Sequence, residues 1–261
     1  MRKTIRGRGQ QLLAAFLMGL ILALLLGAEA VRAEESEEVP EEMPEARRNT
    51  MVGYDISWPQ CDGLYPGEPI GFGIVGVTGG KPYTVNRCLQ EQWEWTKQGG
   101  YPGEVYINVD YWKRTSYHHF FGPAGLCSPL DLACQAFNYG WNGAREAVSY
   151  GESQGVDATR WWLDVETMNY WSPNVELNAL IIEGAIDYLE GVGLDVGIYS
   201  TPYQWGVIAG DYRPGLPVWT AGARDVYDAA ARCDNPRYAF GGGTVELVQW
   251  VETYDMNYAC P

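Results

Sequence analysis

Hydrophobic residues after position 51 fall into short runs that alternate with longer amphipathic stretches. The short runs are rich in β-branched and aromatic residues and lack helical periodicity, which is typical of buried strands. Seven strands are predicted, at Val52–Ser57, Phe72–Thr78, Glu104–Asp110, Arg160–Glu166, Val196–Ser200, Pro217–Ala221 and Val245–Val251. Four helices are predicted between them, at Thr84–Gln98, Tyr139–Ser153, Asn174–Glu190 and Pro202–Ile208.

The third predicted helix has the clearest boundaries. Ser172 is expected to cap it, Pro173 suits its first turn, and Gly191 ends it. Strands that are apolar on both faces and separated by helices indicate a parallel sheet covered by helices. Spread over about 200 residues, this order favours a single α/β domain with an irregular TIM-type (β/α) barrel over an open sheet.

The first 50 residues follow a different pattern. A basic head precedes the apolar run Leu12–Leu26, and small residues end at Ala33, so residues 1–33 are predicted to be a signal peptide. The apolar run is short for a membrane span, and an uncleaved anchor is the alternative. Residues 34–50 are mostly Glu, Pro and other polar residues and are predicted to be a disordered acidic linker. The folded domain is therefore expected at 51–261, secreted and free of the membrane once the signal is cleaved.

All six cysteines lie in the predicted domain, and an even number in an exported chain suggests disulfides. Six cysteines allow 15 pairings. Proximity along the chain favours Cys61–Cys88, Cys127–Cys134 and Cys233–Cys260. The formal net charge of −15 opposes binding to nucleic acid or to anionic lipid, and no basic patch interleaved with aromatic residues is present. We therefore expect no nucleic-acid partner.

Asp164 and Glu166 lie two residues apart at the end of the fourth predicted strand. Because side chains alternate along a strand, both carboxyls should face the same way, with Cα atoms roughly 6–7 Å apart. Two such acids raise one another's pKa, which prepares one of them to donate a proton while its neighbour stays ionised. Cleavage of a glycosidic bond uses a pair of this kind. The alternative is a strand end whose acids cap loops or hold a cation.

Other polar residues also lie at or just after the ends of predicted strands, and in α/β barrels the chemistry lies at that end of the strands. They are Asp55, Thr78, Asp110, Ser200, Gln249 and Asp255. Aromatic residues in or beside the strands suit stacking on sugar rings. The candidates are Trp58, Tyr106, Trp112, Tyr199, Trp219 and Trp250. The irregular stretch from Tyr111 to Asn138 is expected to form an ordered wall of the cleft.

Competing types of site have weaker signals. His118 and His119, the two histidines of the chain, are adjacent, so on an extended chain they would point apart and not form a zinc site or a catalytic triad. Gly79–Lys81 is similar to a phosphate-binding loop, but Pro82 stands where Ser or Thr is required. No calcium-binding loop motif is present. We expect neither a metal nor a cofactor, and a cation-dependent hydrolase is a weaker alternative.

Several segments, in one order, together resemble glycoside hydrolase family 25, the secreted muramidases that cleave peptidoglycan. They are Gly53–Ser57, a second strand ending at Thr78, Leu163–Glu166, Val196–Ser200, Pro217–Ala221, Val248–Trp250 and Tyr254–Asn257. A second resemblance is to exported, cysteine-rich barrel proteins allied to that family. It rests on Trp58–Cys61, Tyr139–Asn142, Trp161–Asp164 and Tyr258–Cys260. Two segments differ from the muramidases. Gly79 follows Thr78 where they usually carry Glu, and Asn108–Asp110 stands in place of an aromatic–His–aromatic signature.

The resemblance implies that Glu166 is the general acid and that Asp164 is a charge-stabilising partner or nucleophile. Asp55 and Asp255 would complete the acidic cluster. Substrate binding is expected at Trp58, Thr78, Asp110, Tyr199, Trp219 and Gln249. The predicted function is that of a secreted, monomeric, lysozyme-like hydrolase near the cell wall, acting on peptidoglycan or a related polysaccharide. The alternative is a non-catalytic barrel that binds glycans or a partner with the same acidic cleft.

Overall fold

Each of the seven predicted runs forms a strand in the computed structural model, which describes residues 51–67, 71–112 and 116–261. The strands are β1 (Val52–Ile56), β2 (Gly73–Gly76), β3 (Glu104–Asn108), β4 (Phe121–Gly122), β5 (Gly125–Leu126), β6 (Arg160–Asp164), β7 (Asp195–Ser200), β8 (Val218–Ala223), β9 (Val245–Val251) and β10 (Asp255–Ala259). The helices are α1 (Leu89–Thr96), α2 (Leu132–Ser153), α3 (Val175–Gly191), α4 (Pro202–Ile208) and α5 (Val226–Arg232). The predicted signal peptide and linker lie outside the described residues.

Eight strands close into a barrel in the order β1, β10, β9, β8, β7, β6, β3, β2. Neighbouring strands run parallel except at β10, which is antiparallel to both β1 and β9. The predicted α/β barrel is confirmed, but its sheet is mixed rather than wholly parallel. Within the part of the chain that the structure describes, no helix has the length and apolar character needed to span a bilayer.

Some elements differ from the expected ones. Strand β10 and helix α5 were not predicted, and α2 begins at Leu132 instead of Tyr139. The expected cap at Ser172 is wrong. Asn174 caps α3, because its side chain accepts a hydrogen bond from the backbone N–H of Glu176. Ser172 instead accepts from the N–H of Asn174 and supports that cap.

The interior of the barrel is filled by large apolar side chains. Trp162 and Trp219 pack edge to face there with ring centroids 5.8 Å apart, together with Phe72, Ile74 and Leu247. Gly197 on β7 makes room for them, because a Cβ at this position would lie 2.2 Å from the Trp162 ring. The alternate residues of the strands, such as Leu163, face the helices and form the main core. The site described below lies above this filled interior.

Three disulfides join segments outside the barrel strands: Cys61–Cys88, Cys127–Cys134 and Cys233–Cys260. They are the pairings favoured by proximity, and the structure confirms them. The stretch after Tyr111 forms the β4–β5 hairpin and packs on α2. The Asn142 amide on α2 donates to the backbone carbonyls of His118 and Phe121, at 2.7 and 2.6 Å. None of the described residues of this stretch lines the cavity described below, so its role as a wall of the cleft stays a prediction.

Candidate active site

A cavity of about 280 Å³ opens at the carboxyl ends of the parallel strands. Its lining comes from seven different strands and the segment that follows β6. The residues are Asp55, Tyr106, Asp164, Glu166, Tyr199, Trp219, Gln249, Val251 and Asp255. None of the described residues that line it is Lys, Arg or His. The cavity is therefore an acidic site with aromatic residues in its floor.

The backbone around the acid pair is held firmly. Asp164 ends β6, and Glu166 follows after Val165, whose N–H donates to the carbonyl of Tyr199 at 2.9 Å. The Ser200 hydroxyl donates to the Val165 carbonyl, at 2.7 Å. Trp171 donates from its indole N–H to the carbonyl of Glu166, also at 2.7 Å. The predicted common orientation of the two acids is confirmed, because both line the same cavity.

Asp55 and Asp255 meet because strands β1 and β10 pair with these two residues opposite each other. Asp55 is buried, and its Oδ2 accepts hydrogen bonds from the amides of Gln249 and Asn257, at 2.9 and 2.7 Å. Both amides are themselves oriented. The Tyr199 hydroxyl donates to the Gln249 oxygen, and the Trp219 indole N–H donates to the Asn257 oxygen, each at 2.8 Å.

Side-chain amides also contact both members of the acid pair. Asn108 lies opposite Asp164 in the pairing of β3 with β6, and its Nδ2 donates to Asp164 Oδ2. The other carboxylate oxygen, Oδ1, is buried and has no hydrogen-bond partner. Gln204 at the start of α4 donates from Nε2 to Glu166 Oε1 over a longer distance, 3.5 Å. Among the described residues these acids are therefore held by neutral donors rather than by cations.

Burial is the main electrostatic influence on all four carboxyls. It raises the pKa of Asp55 to about 7, with repulsion from Asp255 adding to the rise and the Asn257 and Gln249 donors reducing it. Burial likewise raises the pKa of Asp164 well above its usual value, reinforced by the Glu166 charge and opposed by Asn108. The pKa values of Glu166 and Asp255 are also raised by burial. A carboxyl with a raised pKa keeps its proton to a higher pH than a free carboxyl does, as an acid catalyst requires.

Tyr106 lies between the acids at the base of the cavity. Burial raises its pKa well above the usual value, and the nearby Asp55 adds to the rise, so its hydroxyl keeps its proton and can act as a donor. The backbone at Gly76 makes room for it. A Cβ there would lie 2.7 Å from Tyr106 Cζ and 2.7 Å from Ser57 Cβ. Glycine at position 76 thus allows the tyrosine to lie beneath the acids.

Not every predicted site residue lies in this lining. Asp55, Asp164, Glu166, Tyr199, Trp219, Gln249 and Asp255 line the cavity, and Trp58, Thr78 and Asp110 do not. The Thr78 hydroxyl donates to Asn108 Oδ1 at 2.6 Å, and Asp110 accepts from the Tyr139 hydroxyl on α2 at 3.0 Å. Trp58 is half exposed beside Gly80. Substrate contact by these three residues stays a prediction.

The other aromatic candidates and the histidines also lie outside the lining. Trp112 and Trp250 are buried, and Trp112 stacks on His119 with ring centroids 5.0 Å apart. His118 stacks on Tyr83 instead. In residues 51–67, 71–112 and 116–261, no group of three or more His, Cys, Asp or Glu side chains is arranged to hold a metal ion.

Asn108, Gln204 and Asn257 were missed as candidates for the site. Asn108 was noted only as a departure from the muramidase pattern, although a polar residue at the end of a buried strand was the signal used elsewhere. Asn257 alternates with Asp255 along β10, so the pattern of that strand would have placed both on one face. Gln204 lies in a helix, and its contact with Glu166 depends on tertiary packing, which leaves no signal in the local sequence.

Comparison with known proteins identifies the architecture. A family model described as Lysozyme-like protein 1 matches residues 133–232, which include the acid pair. "Probable GH family 25 lysozyme 4" of Dictyostelium discoideum is 33% identical over 104 residues, which is 39% of this chain and 46% of the relative. "Lysozyme-like protein 5" of Caenorhabditis elegans is 31% identical over 130 residues, 45% of this chain and 57% of the relative. The chain spans about half the length of these curated relatives.

A solved structure covers more of the chain. It is that of GHIP, a glycosyl hydrolase 25 of Streptococcus pneumoniae, which superposes with a TM-score of 0.50 at 15% identity. The match covers 83% of this chain and 89% of that one, so it extends over nearly all the described barrel. The chain therefore has a barrel of the glycoside hydrolase family 25 type, as its sequence motifs implied.

Proposed function

We propose that the chain is an exported glycoside hydrolase that cleaves peptidoglycan or a related cell-wall polysaccharide by acid catalysis. One observation carries the proposal: Asp164 and Glu166 line a single cavity, and burial raises the pKa of both carboxyls. The matches to relatives named as lysozymes support the same reaction class. The three disulfides support export, because such bonds persist in oxidising compartments.

In this mechanism Glu166 protonates the glycosidic oxygen of the leaving group, and the bond to the anomeric carbon breaks. Asp164 is the more buried carboxyl, and its negative charge stabilises the oxocarbenium-like transition state. Water then adds to the anomeric carbon and gives a proton to the Glu166 carboxylate, which restores the acid. Tyr199 and Trp219 present ring surfaces in the floor of the cavity, where a sugar ring can stack.

The test is the release of reducing ends from purified peptidoglycan and from several soluble glycans. The wild-type protein is expected to release ends from at least one of them, and Glu166→Gln is expected to abolish release while the protein stays folded. Glu190→Gln, which removes an exposed carboxylate on α3, is the matched control and should keep full activity. Full activity of Glu166→Gln would overturn the assignment of the acid.

A second candidate function is a non-catalytic barrel that binds glycans or a protein partner in the same cavity. The departure of the second strand from the muramidase pattern favours it. Gly79 follows Thr78 in place of the usual Glu, and the Thr78 hydroxyl is engaged by Asn108. Binding of peptidoglycan fragments by the wild-type protein, without any release of reducing ends, would support this candidate over the first.

A further inference from the structure

Two threonine–amide pairs hold the acid pair in corresponding ways. In the first pair the Thr78 hydroxyl donates to Asn108 Oδ1, and the Asn108 amide nitrogen faces Asp164. In the second, the backbone N–H and the hydroxyl of Thr167 donate to Gln204 Oε1, at 2.6 and 2.8 Å, and the Gln204 nitrogen faces Glu166. Each acid thus receives an N–H donor from an amide whose oxygen is already occupied.

The threonines decide which way each amide points. A backbone N–H can only donate, so the N–H of Thr167 requires the oxygen of Gln204 on its side. The Thr78 hydroxyl accepts from the backbone N–H of Asn108 at 3.1 Å, which leaves its own proton for Asn108 Oδ1. With the reverse orientation, the amide oxygen of Asn108 would face the Asp164 carboxylate and repel it.

The two contacts differ in strength. The donor of Asn108 is closely bonded to Asp164, whereas that of Gln204 lies 3.5 Å from Glu166, at the limit of a hydrogen bond. A donor stabilises the ionised form of the carboxyl it contacts, and a closer donor does so more strongly. The Asn108 donor thus stabilises ionised Asp164 more than the Gln204 donor stabilises ionised Glu166, and it opposes the burial that raises the pKa of Asp164.

We propose that Asn108 and Gln204 are positioning residues that differentiate the acid pair, with Asn108 favouring the ionised form of Asp164 against its burial and Gln204 favouring that of Glu166 only weakly. The inference rests on the proposed function, because it assigns roles within that reaction. Asp164 Oδ1 is buried without a hydrogen-bond partner, so the Asn108 amide is the side-chain donor that the described structure gives this carboxyl.

The groups that face the pair are acids and phenols. Asp55 on β1, Tyr106 on β3, Tyr199 on β7 and Asp255 on β10 surround it, and no cation is among the described lining residues. Neutralisation by a cation therefore does not set the order of ionisation. Two sources of asymmetry remain within the pair, and they oppose each other at Asp164: its deeper burial favours the protonated form, and its closer amide donor favours the ionised form.

The test compares pH–rate profiles of glycan cleavage for Asn108→Leu and Gln204→Met. Loss of the Asn108 donor raises the pKa of Asp164, so the rising limb should move up by about one pH unit and narrow the profile. Loss of the Gln204 donor raises the pKa of Glu166, so the falling limb should move up by a smaller amount and widen the profile. A uniform loss of rate with an unchanged profile in both variants would overturn the proposal.

Variants of Thr78 supply the matched control. They also test the proposal if Asn108→Leu does not fold. Thr78→Val removes the hydroxyl that orients Asn108 and should move the rising limb in the same direction. Thr78→Ser keeps a hydroxyl and should restore the wild-type profile. A shift of equal size in Thr78→Ser and Thr78→Val would contradict the role of the hydroxyl.

A titration separates this inference from the proposed function. The Asp164 carboxyl carbon is followed by ¹³C NMR against pH in the full chain, which needs no substrate. If the wild-type protein cleaves no glycan, the proposed function fails, and the titration still decides the role of Asn108. An upward shift of about one pH unit in Asn108→Leu supports the inference, and an unchanged titration overturns it.

Discussion

The acids at the two ends of the barrel have opposite kinds of partner, cationic at one end and neutral at the other. At the amino ends of the strands, Arg160 lies 3.0 Å from the carboxylate of Glu246 and 5.5 Å from the centre of the Trp162 ring. Trp162 in turn donates to Glu104 at 2.5 Å. At the carboxyl ends, by contrast, the acids lining the cavity have amide donors and no cation among the described residues that line it with them.

This difference distinguishes acids that stabilise the fold from acids that take part in the reaction. Burial raises the pKa of Glu104, but the Trp162 donor and the charge of Arg160 oppose the rise, so this acid lies beside the Arg160–Glu246 ion pair. The acids of the cavity have no such cation among the described residues that line it, so their raised pKa values are not offset by a positive charge. Acids near Arg160 should accordingly affect stability, and acids in the cavity should affect reactivity.

Removal of one cavity acid tests the comparison most strongly. Asp164→Asn is expected to lower the rate of glycan cleavage by about 10²–10⁴-fold, because the charge that stabilises the transition state is lost. Thermal unfolding at pH 8 should stay at the same temperature or move upward, since a buried carboxylate is removed. A variant that keeps its activity but unfolds at a lower temperature would place Asp164 with the structural acids.

The pH dependence of stability comes next in size. The pKa of Asp55 rises from 3.8 to about 7 on folding, so between these values the folded protein holds a proton that the unfolded chain has released. This stabilisation is complete below about pH 4 and is lost as the pH rises through 7. The unfolding temperature should therefore be roughly 5 °C higher at pH 5 than at pH 8. Asp55→Asn should reduce that difference, and an undiminished difference would exclude Asp55 as its source.

The fit of Tyr106 beneath the acids is tested by Gly76→Ala. The added methyl group must displace the Tyr106 ring or Ser57, which should reduce the free energy of unfolding by about 1–3 kcal/mol and lower the activity as well. Gly63→Ala is the control, because a Cβ at Gly63 has its nearest neighbour at 3.7 Å. Urea unfolding measures both variants. Equal stability of the two would mean that the cavity floor adapts without strain.

The smallest effect is expected at the opposite end of the barrel. Arg160→Met removes the ion pair to Glu246 and the contact with Trp162, which should cost about 1 kcal/mol of the free energy of unfolding because the pair is partly exposed. The rate of glycan cleavage and its pH profile should not change. A shifted pH profile in this variant would show that the two ends are coupled and would break the comparison.

The cavity acids could be predicted from the sequence because their signals are local. Asp164 and Glu166 end an apolar strand, and Asp55 ends another, so alternation along a strand places them at one mouth. The barrel followed from the order of hydrophobic runs. Proximity along the chain was also sufficient to predict the disulfide pairing. Two of the three disulfides join residues 27 positions apart, and the third joins residues 7 apart.

The remaining features depend on contacts that local patterns do not encode. Strand β10 is short and half polar, and it is held by pairing on both sides rather than by its own apolar face. The side chain of Thr78 was expected in the cavity, but β2 ends at Gly76 and the hydroxyl turns to Asn108. Asp110 lies beyond the end of β3 and bonds to α2. Which way a polar side chain turns after a strand ends is decided by neighbouring elements.

Strand β10 also determines when the cavity forms during synthesis and folding of the chain. It pairs with β1 across about 200 residues of chain, and this pairing brings Asp255 opposite Asp55. Contacts of such long range form late in folding, because the entropy of closing a large loop must be overcome first. A nascent chain made only as far as β9 has an open barrel with an unpaired β1 edge and an incomplete set of acids. The acidic cluster is therefore absent from the growing polypeptide and is assembled only after residue 255 has been synthesised.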